Sequence, residues 1–79
     1  MQVINGVNNA MGIDLNGACY TVDRGTSAAL GCLTDATSLE VHGNTSCSSL
    51  QFAATVGSLD INSDGRTDVV CTASNCTSR

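Results

Sequence analysis

Seventy-nine residues with a net charge of −4, no lysine and only three arginines (Arg24, Arg66 and Arg79) exclude a nucleic-acid binder, since nothing forms a basic stripe. No apolar run reaches the roughly 18 residues that cross a bilayer, so no membrane span is encoded. The length makes residues 1–79 one small domain burying only about 60% of its unfolded surface, and its core is aliphatic, with Tyr20 and Phe52 the only aromatics.

Met1 to Gly12 shows no basic leader followed by an apolar stretch and a small-residue cleavage site, so it does not read as a signal peptide. A secreted protein with this sequence would be a mature or engineered piece. Asp14-Leu15-Asn16-Gly17 opens like an ion loop, but Ala18 stands where the next oxygen would fall. It reads as a turn. Cys19–Val22 and Leu39–Val41 have strand composition. Between them, Thr26 to Leu33 is the best helical stretch. Thr26 or Ser27 caps it, and Ala29, Leu30 and Leu33 face inward, although Gly31 weakens it. Ser, Thr, Asn and Gly are abundant throughout and proline is absent, which suits a loop-rich antiparallel domain turning on Gly and Asn. The expected fold is therefore mainly β, with one short helix.

Leu50, Phe52, Ala54 and Val56 alternate with Gln51, Ala53 and Thr55, a half-buried strand over Leu50–Val56. The stretch that follows, Asp60-Ile61-Asn62-Ser63-Asp64-Gly65-Arg66-Thr67-Asp68, carries side-chain oxygens at its first, third, fifth and ninth positions. Glycine stands at the sixth and permits the bend that wraps them around one cation. Calcium takes six to eight hard oxygens at about 2.3–2.6 Å. The candidate ligands are Asp60, Asn62, Asp64, Arg66 and Asp68, with backbone carbonyls and water supplying the remainder. Without a cation, three carboxylates would stand together unscreened. The twelfth position is Cys71 where a helix-loop-helix site needs glutamate, and Val69–Thr72 favours a strand. The segment reads as strand, calcium loop, strand.

The run VGSLDINSDGRTDVV resembles the calcium loops of FG-GAP and VCBS-type repeats, extracellular modules with the same Asp-x-Asn-x-Asp-Gly-x-x-Asp core before a short apolar strand. The resemblance covers about a fifth of the chain and implies Ca2+ and an extracellular or cell-surface setting. It does not imply a propeller, which needs several blades, because only one intact loop is present.

Cys19, Cys32, Cys47, Cys71 and Cys76 include no Cys-x-x-Cys pair, and His42 is the sole histidine, so zinc is not expected. Disulfides in an oxidising compartment fit better, and a light core needs such staples. Cys71 and Cys76 are placed to close a short loop; Cys19–Cys32 and Cys32–Cys47 are alternatives for a second bridge. Two bridges contribute about 2–4 kcal/mol each. An odd count leaves one sulfur over, and burial is its expected fate. The sequons at Asn44 and Asn75 are chance matches in a chain so rich in Asn, Ser and Thr.

Catalysis is not expected. His42 reads as a surface histidine where a strand meets a turn, Glu40 is the only glutamate, and no glycine-rich phosphate cradle follows a strand. The small, polar, β-rich composition is similar to the globular heads of type IV pilins and pseudopilins, and Cys71–Cys76 would match their C-terminal disulfide loop. That resemblance implies a non-enzymatic structural protein of a surface filament, with other subunits of the assembly as partners. The long apolar helix that builds a pilus is not in this sequence. The alternative is a calcium-dependent adhesin or carbohydrate-binding module for cell adhesion, with a glycan ligand. Sugar sites usually stack rings on exposed aromatics, and Tyr20 is the one strong candidate.

Overall fold

Short β-rich segments separated by Gly, Asn and Ser build eight strands among the described residues, which are residues 1–59, 68–72 and 74–78 of a computed structural model. In chain order they are β1 (Gln2–Asn5), β2 (Met11–Leu15), β3 (Ala18–Val22), β4 (Ser27–Ala29), β5 (Ser38–His42), β6 (Leu50–Thr55), β7 (Asp68–Cys71) and β8 (Cys76–Ser78). One helical turn, α1 (Val56–Leu59), follows β6. Among the described residues the fold is mainly β, as the composition and turn residues predict, with one short helix and two disulfides.

The first sheet, β3-β2-β5-β6, is antiparallel throughout. Its β2–β3 hairpin turns on Asn16 (φ 51°) and Gly17 (φ 93°), the left-handed pair that a tight two-residue loop requires. Gly17 N donates to Asp14 Oδ1 at 2.7 Å, and Ser38 N donates to Asn16 Oδ1 at 2.8 Å, which ties the turn to β5. Alternation sends Met11, Ile13 and Leu15 of β2 and Leu39 and Val41 of β5 into the core. Gly12, Asp14, Glu40 and His42 therefore share the opposite face. Between Val41 and His42 the register with β6 slips, so Val41 faces Phe52 whereas His42 faces Leu50. Gln51 is the extra residue of this bulge, and Leu50 is turned off the core face and left 58% exposed.

The second sheet, β4-β1-β7-β8, has β1 antiparallel to β4 and parallel to β7, and closes with the antiparallel β7–β8 pair. Val3 lies opposite Val69 and Asn5 opposite Cys71, all four buried. Asn5 is satisfied in the interior. Its Nδ2 donates to Asn9 O (2.8 Å) and to Val22 O (2.9 Å), while its Oδ1 accepts from Val7 N (2.8 Å). The bond to Val22 fastens β1 to a strand of the other sheet. One apolar cluster joins both sheets: Val3, Val69 and Cys71 meet Met11, Ile13, Leu39 and Val41, and α1 adds Val56 and Leu59. Among the described residues no helix is long and apolar enough to cross a membrane.

Two expectations about elements are corrected. Residues 26–33 form no helix. They hold β4, bracketed by Gly25 and Gly31 at φ 72° and 71°, and Leu30 N donates to Met1 O at 2.8 Å. An eight-residue helix containing glycine is marginal, and the edge of β1 offers backbone partners that outweigh it. The strand expected over residues 50–56 stops at Thr55, because Val56 N donates to Thr37 O and Gly57 N to Asp35 O, bending the chain into α1.

Candidate metal sites

The sequence-predicted calcium loop sits where the chain leaves one sheet for the other. β6 is an edge strand of the first sheet, α1 follows it, and β7 is a central strand of the second. Of the candidate ligands, Asp60, Asn62, Asp64 and Arg66 lie outside the described residues. Asp68 is described: it begins β7, half-buried, in register with Gln2 of β1. The two strands that flank the loop are thus present, but they belong to different sheets rather than to one hairpin.

The cysteines are resolved. Cys71 and Cys76 face each other across the β7–β8 pair, with Cα atoms 4.1 Å apart, and form the short terminal bridge that the spacing predicts. The second bridge is Cys19–Cys47, with Cα atoms 6.0 Å apart, rather than either pairing with Cys32. Cys32 stands outside both bridges and is exposed, not buried as expected. The cause is register. Cys19 of β3 lies directly opposite Asp14 of β2, on the non-core face, and the loop over residues 43–49 folds back across that face to bring Cys47 to it.

That loop is held by its own polar groups. Gly43 N donates to Ser49 O at 2.9 Å, and Ser48 N donates to Asn44 Oδ1 at 3.1 Å. Asn44 Nδ2 donates to Ser48 Oγ at 2.7 Å, so the first sequon's amide is engaged within the loop. Cys47 takes a positive φ of 53°. Beneath it, Gly12 permits the approach: a Cβ there would stand 2.8 Å from Cys47 Sγ.

Folding the loop over the sheet buries His42. It is only 5% exposed, which corrects the expectation of a surface histidine. Its Nε2 lies 3.1 Å from Glu40 Oε1. A carboxylate only accepts, so Nε2 carries a proton, and in the neutral ring the lone pair is then on Nδ1. Nδ1 is buried and has no hydrogen-bond partner among the described residues. A ring nitrogen of His42, a carboxylate oxygen of Asp14 and the sulfur of Cys47 all lie within 4.8 Å of one another. Strand register accounts for the grouping, since Gly12 is opposite His42 and Asp14 is opposite Glu40.

Sequence reasoning missed this triad. Asp14, His42 and Cys47 are far apart in the chain, and no close Cys or His pair announces them. The signal present was the alternation of Glu40 and His42 with Leu39 and Val41, which puts both polar residues on one side of a strand. Comparison with protein-family models, with curated proteins and with solved structures returns no match.

Proposed function

We propose that this chain is a non-enzymatic extracellular structural module, a subunit or head domain of a pilus-like surface assembly, locked by Ca2+ at Asp60–Asp68. The observation that carries the reading is the position of the loop. It joins α1 and the edge strand β6 of one sheet to the central strand β7 of the other. An ion there ties the two layers together, in the way Cys19–Cys47 and Cys71–Cys76 tie their own segments. Two disulfides in so short a chain fit an oxidising compartment, where calcium is permanently abundant and modest affinity suffices. The partners are other subunits of the assembly.

Linkage sets the size of the effect. At a Kd of roughly 10⁻⁴–10⁻³ M, millimolar calcium adds about 0.4–1.4 kcal/mol to a state that alone binds it. For a domain of this size that raises Tm by roughly 2–10 °C. The test is thermal unfolding of the oxidised protein in chelator, in millimolar calcium and in millimolar magnesium. A calcium-specific rise that Asp64→Ala removes supports the site; an equal response in Asp64→Ala sinks it. Sedimentation in calcium then reads self-association.

One observation favours a second reading, a calcium-dependent adhesin or carbohydrate-binding module. Tyr20 is 44% exposed on the edge strand β3, where a ring can stack on a sugar. A glycan-surface binding signal lost in Tyr20→Ala would reverse the order of the two.

A further inference from the structure

We propose that Asp14, His42, Cys19 and Cys47 form a second, zinc-type metal site, which the Cys19–Cys47 disulfide closes and a dithiol reductant opens. The inference uses none of the calcium-loop residues and stands or falls apart from the proposed function. Four observations lead to it. Donor atoms of Asp14, His42 and Cys47 already lie within 4.8 Å of one another. Donors around a tetrahedral zinc lie about 3.3–3.8 Å apart, so these three close by about 1 Å, while the two sulfurs, once their bond is broken, part to the same spacing. Cys19 Sγ is bonded to Cys47 Sγ, which places a fourth donor at the same point.

The histidine is arranged as a metal ligand is arranged. A ligating imidazole usually donates its other N–H to a carboxylate, which fixes the tautomer and leaves one bare lone pair for the ion. His42 Nε2 does this with Glu40 Oε1, and Nδ1 is the nitrogen left buried without a partner. An orphaned buried nitrogen is costly in a folded protein, and a site for a ligand explains it. Gly12, directly opposite His42, leaves the hollow into which Cys47 descends. Two thiolates, one imidazole and one carboxylate are a set for zinc and not for calcium, which takes oxygen alone.

The chemistry balances. The dithiol supplies two electrons and two protons; the S–S bond of Cys19–Cys47 breaks to two thiols, and the dithiol closes to its own disulfide. The ion then displaces both thiol protons to solvent and is held by two thiolates, His42 Nδ1 and an Asp14 oxygen. Exchange with a small-molecule disulfide reverses the step: the Cys19–Cys47 bond re-forms, the ion is released, and the small disulfide takes the two electrons and two protons and leaves as two thiols. The loop over residues 43–49 is therefore fastened to the sheet in either redox state, by a covalent bond in one and a metal in the other.

The experiment is anaerobic cobalt(II) titration of the whole chain, oxidised and after phosphine reduction, followed by zinc competition. The reduced protein should bind one cobalt, with the visible bands of a tetrahedral site and a thiolate charge-transfer band. The oxidised protein should lack that band. His42→Gln and Asp14→Asn should each weaken binding at least tenfold, while Cys71→Ser/Cys76→Ser should retain it. Equal binding in His42→Gln and wild type, loss of the band in Cys71→Ser/Cys76→Ser, or no band at all would overturn the site. If reduction loosens the fold, the reduction potential of the Cys19–Cys47 pair still decides. Zinc at a hundredfold excess over its Kd favours the reduced pair about a hundredfold, a rise of about 60 mV. No rise, or the same rise in His42→Gln, refutes the proposal.

Discussion

Gly12 and Cys47 are in contact through a gap that only glycine leaves: a Cβ on Gly12 would stand 2.8 Å from the Cys47 sulfur and 2.5 Å from the Asn44 carbonyl oxygen. The bridge-bearing loop rests on the bare backbone of β2. Gly12→Ala must lift that loop or bend the strand, and overpacking of this kind costs about 1–3 kcal/mol. Urea unfolding of the oxidised variant should show the midpoint falling accordingly. An unchanged midpoint would mean that the loop moves aside freely.

The two disulfides should differ in worth. Cys19–Cys47 spans a sequence separation of 28 and Cys71–Cys76 one of 5. Loop-closure entropy then assigns about 3.6 kcal/mol to the first and about 2.1 kcal/mol to the second. Replacing each pair by alanine and comparing denaturant midpoints checks the ranking. If losing Cys71–Cys76 does the greater damage, the clamp on β7 and β8 matters more than the entropy of the open chain.

His42→Leu should not destabilise the oxidised protein, and should raise its stability by about 1 kcal/mol. The substitution removes a buried nitrogen that has no partner, while Glu40 is exposed enough to hydrate once its partner is gone. Equilibrium unfolding in the presence of a chelator isolates this effect from any metal. A loss of more than about 1 kcal/mol would show that Nδ1 is satisfied in solution.

Leu39 and Leu50 occupy adjoining strands but opposite fates. Leu39→Ala opens a cavity at a fully buried position and should cost about 2–5 kcal/mol. Leu50→Ala, on the far side of the bulge, should stay within about 0.5 kcal/mol of the parent. Comparable losses at both sites would mean that Leu50 is covered in solution, and sedimentation would show by what.

Local chemistry was the legible part of this chain. Asn16-Gly17 announced its turn, Cys71 and Cys76 announced their bridge, and β3, β5, β6 and β7 were readable from composition and alternation to within a residue or two. What depended on register was hidden. No local signal says that Gln51 bulges, so Leu50 looked like a core residue. Nor does any say that residues 43–49 fold over the sheet, the event that buries His42 and selects Cys47 as the partner of Cys19. β1, β2 and β8 lie outside the strands the sequence predicts, although β2 alternates cleanly, and the stretch that holds β4 suits a helix equally well through Ala28, Ala29, Leu30 and Leu33. Asp14, His42 and Cys47 meet only through the pairing of β2 with β3 and β5.

The parallel pairing of β1 with β7 dictates an order of events. Every strand of the β3-β2-β5-β6 sheet comes from residues 11–55, joined to its neighbours by antiparallel links. The central pair of the other sheet must instead bring residues 2–5 to residues 68–71. Closing so long a span is entropically unfavourable until other contacts have shortened it. The antiparallel sheet therefore forms first, and β1, matched by β4 along one edge, waits with its other edge open until β7 arrives. During that wait β1 is a template for any strand offered to it, so dilution and prompt oxidation of Cys71–Cys76 are the conditions under which this chain reaches its own partner before another's.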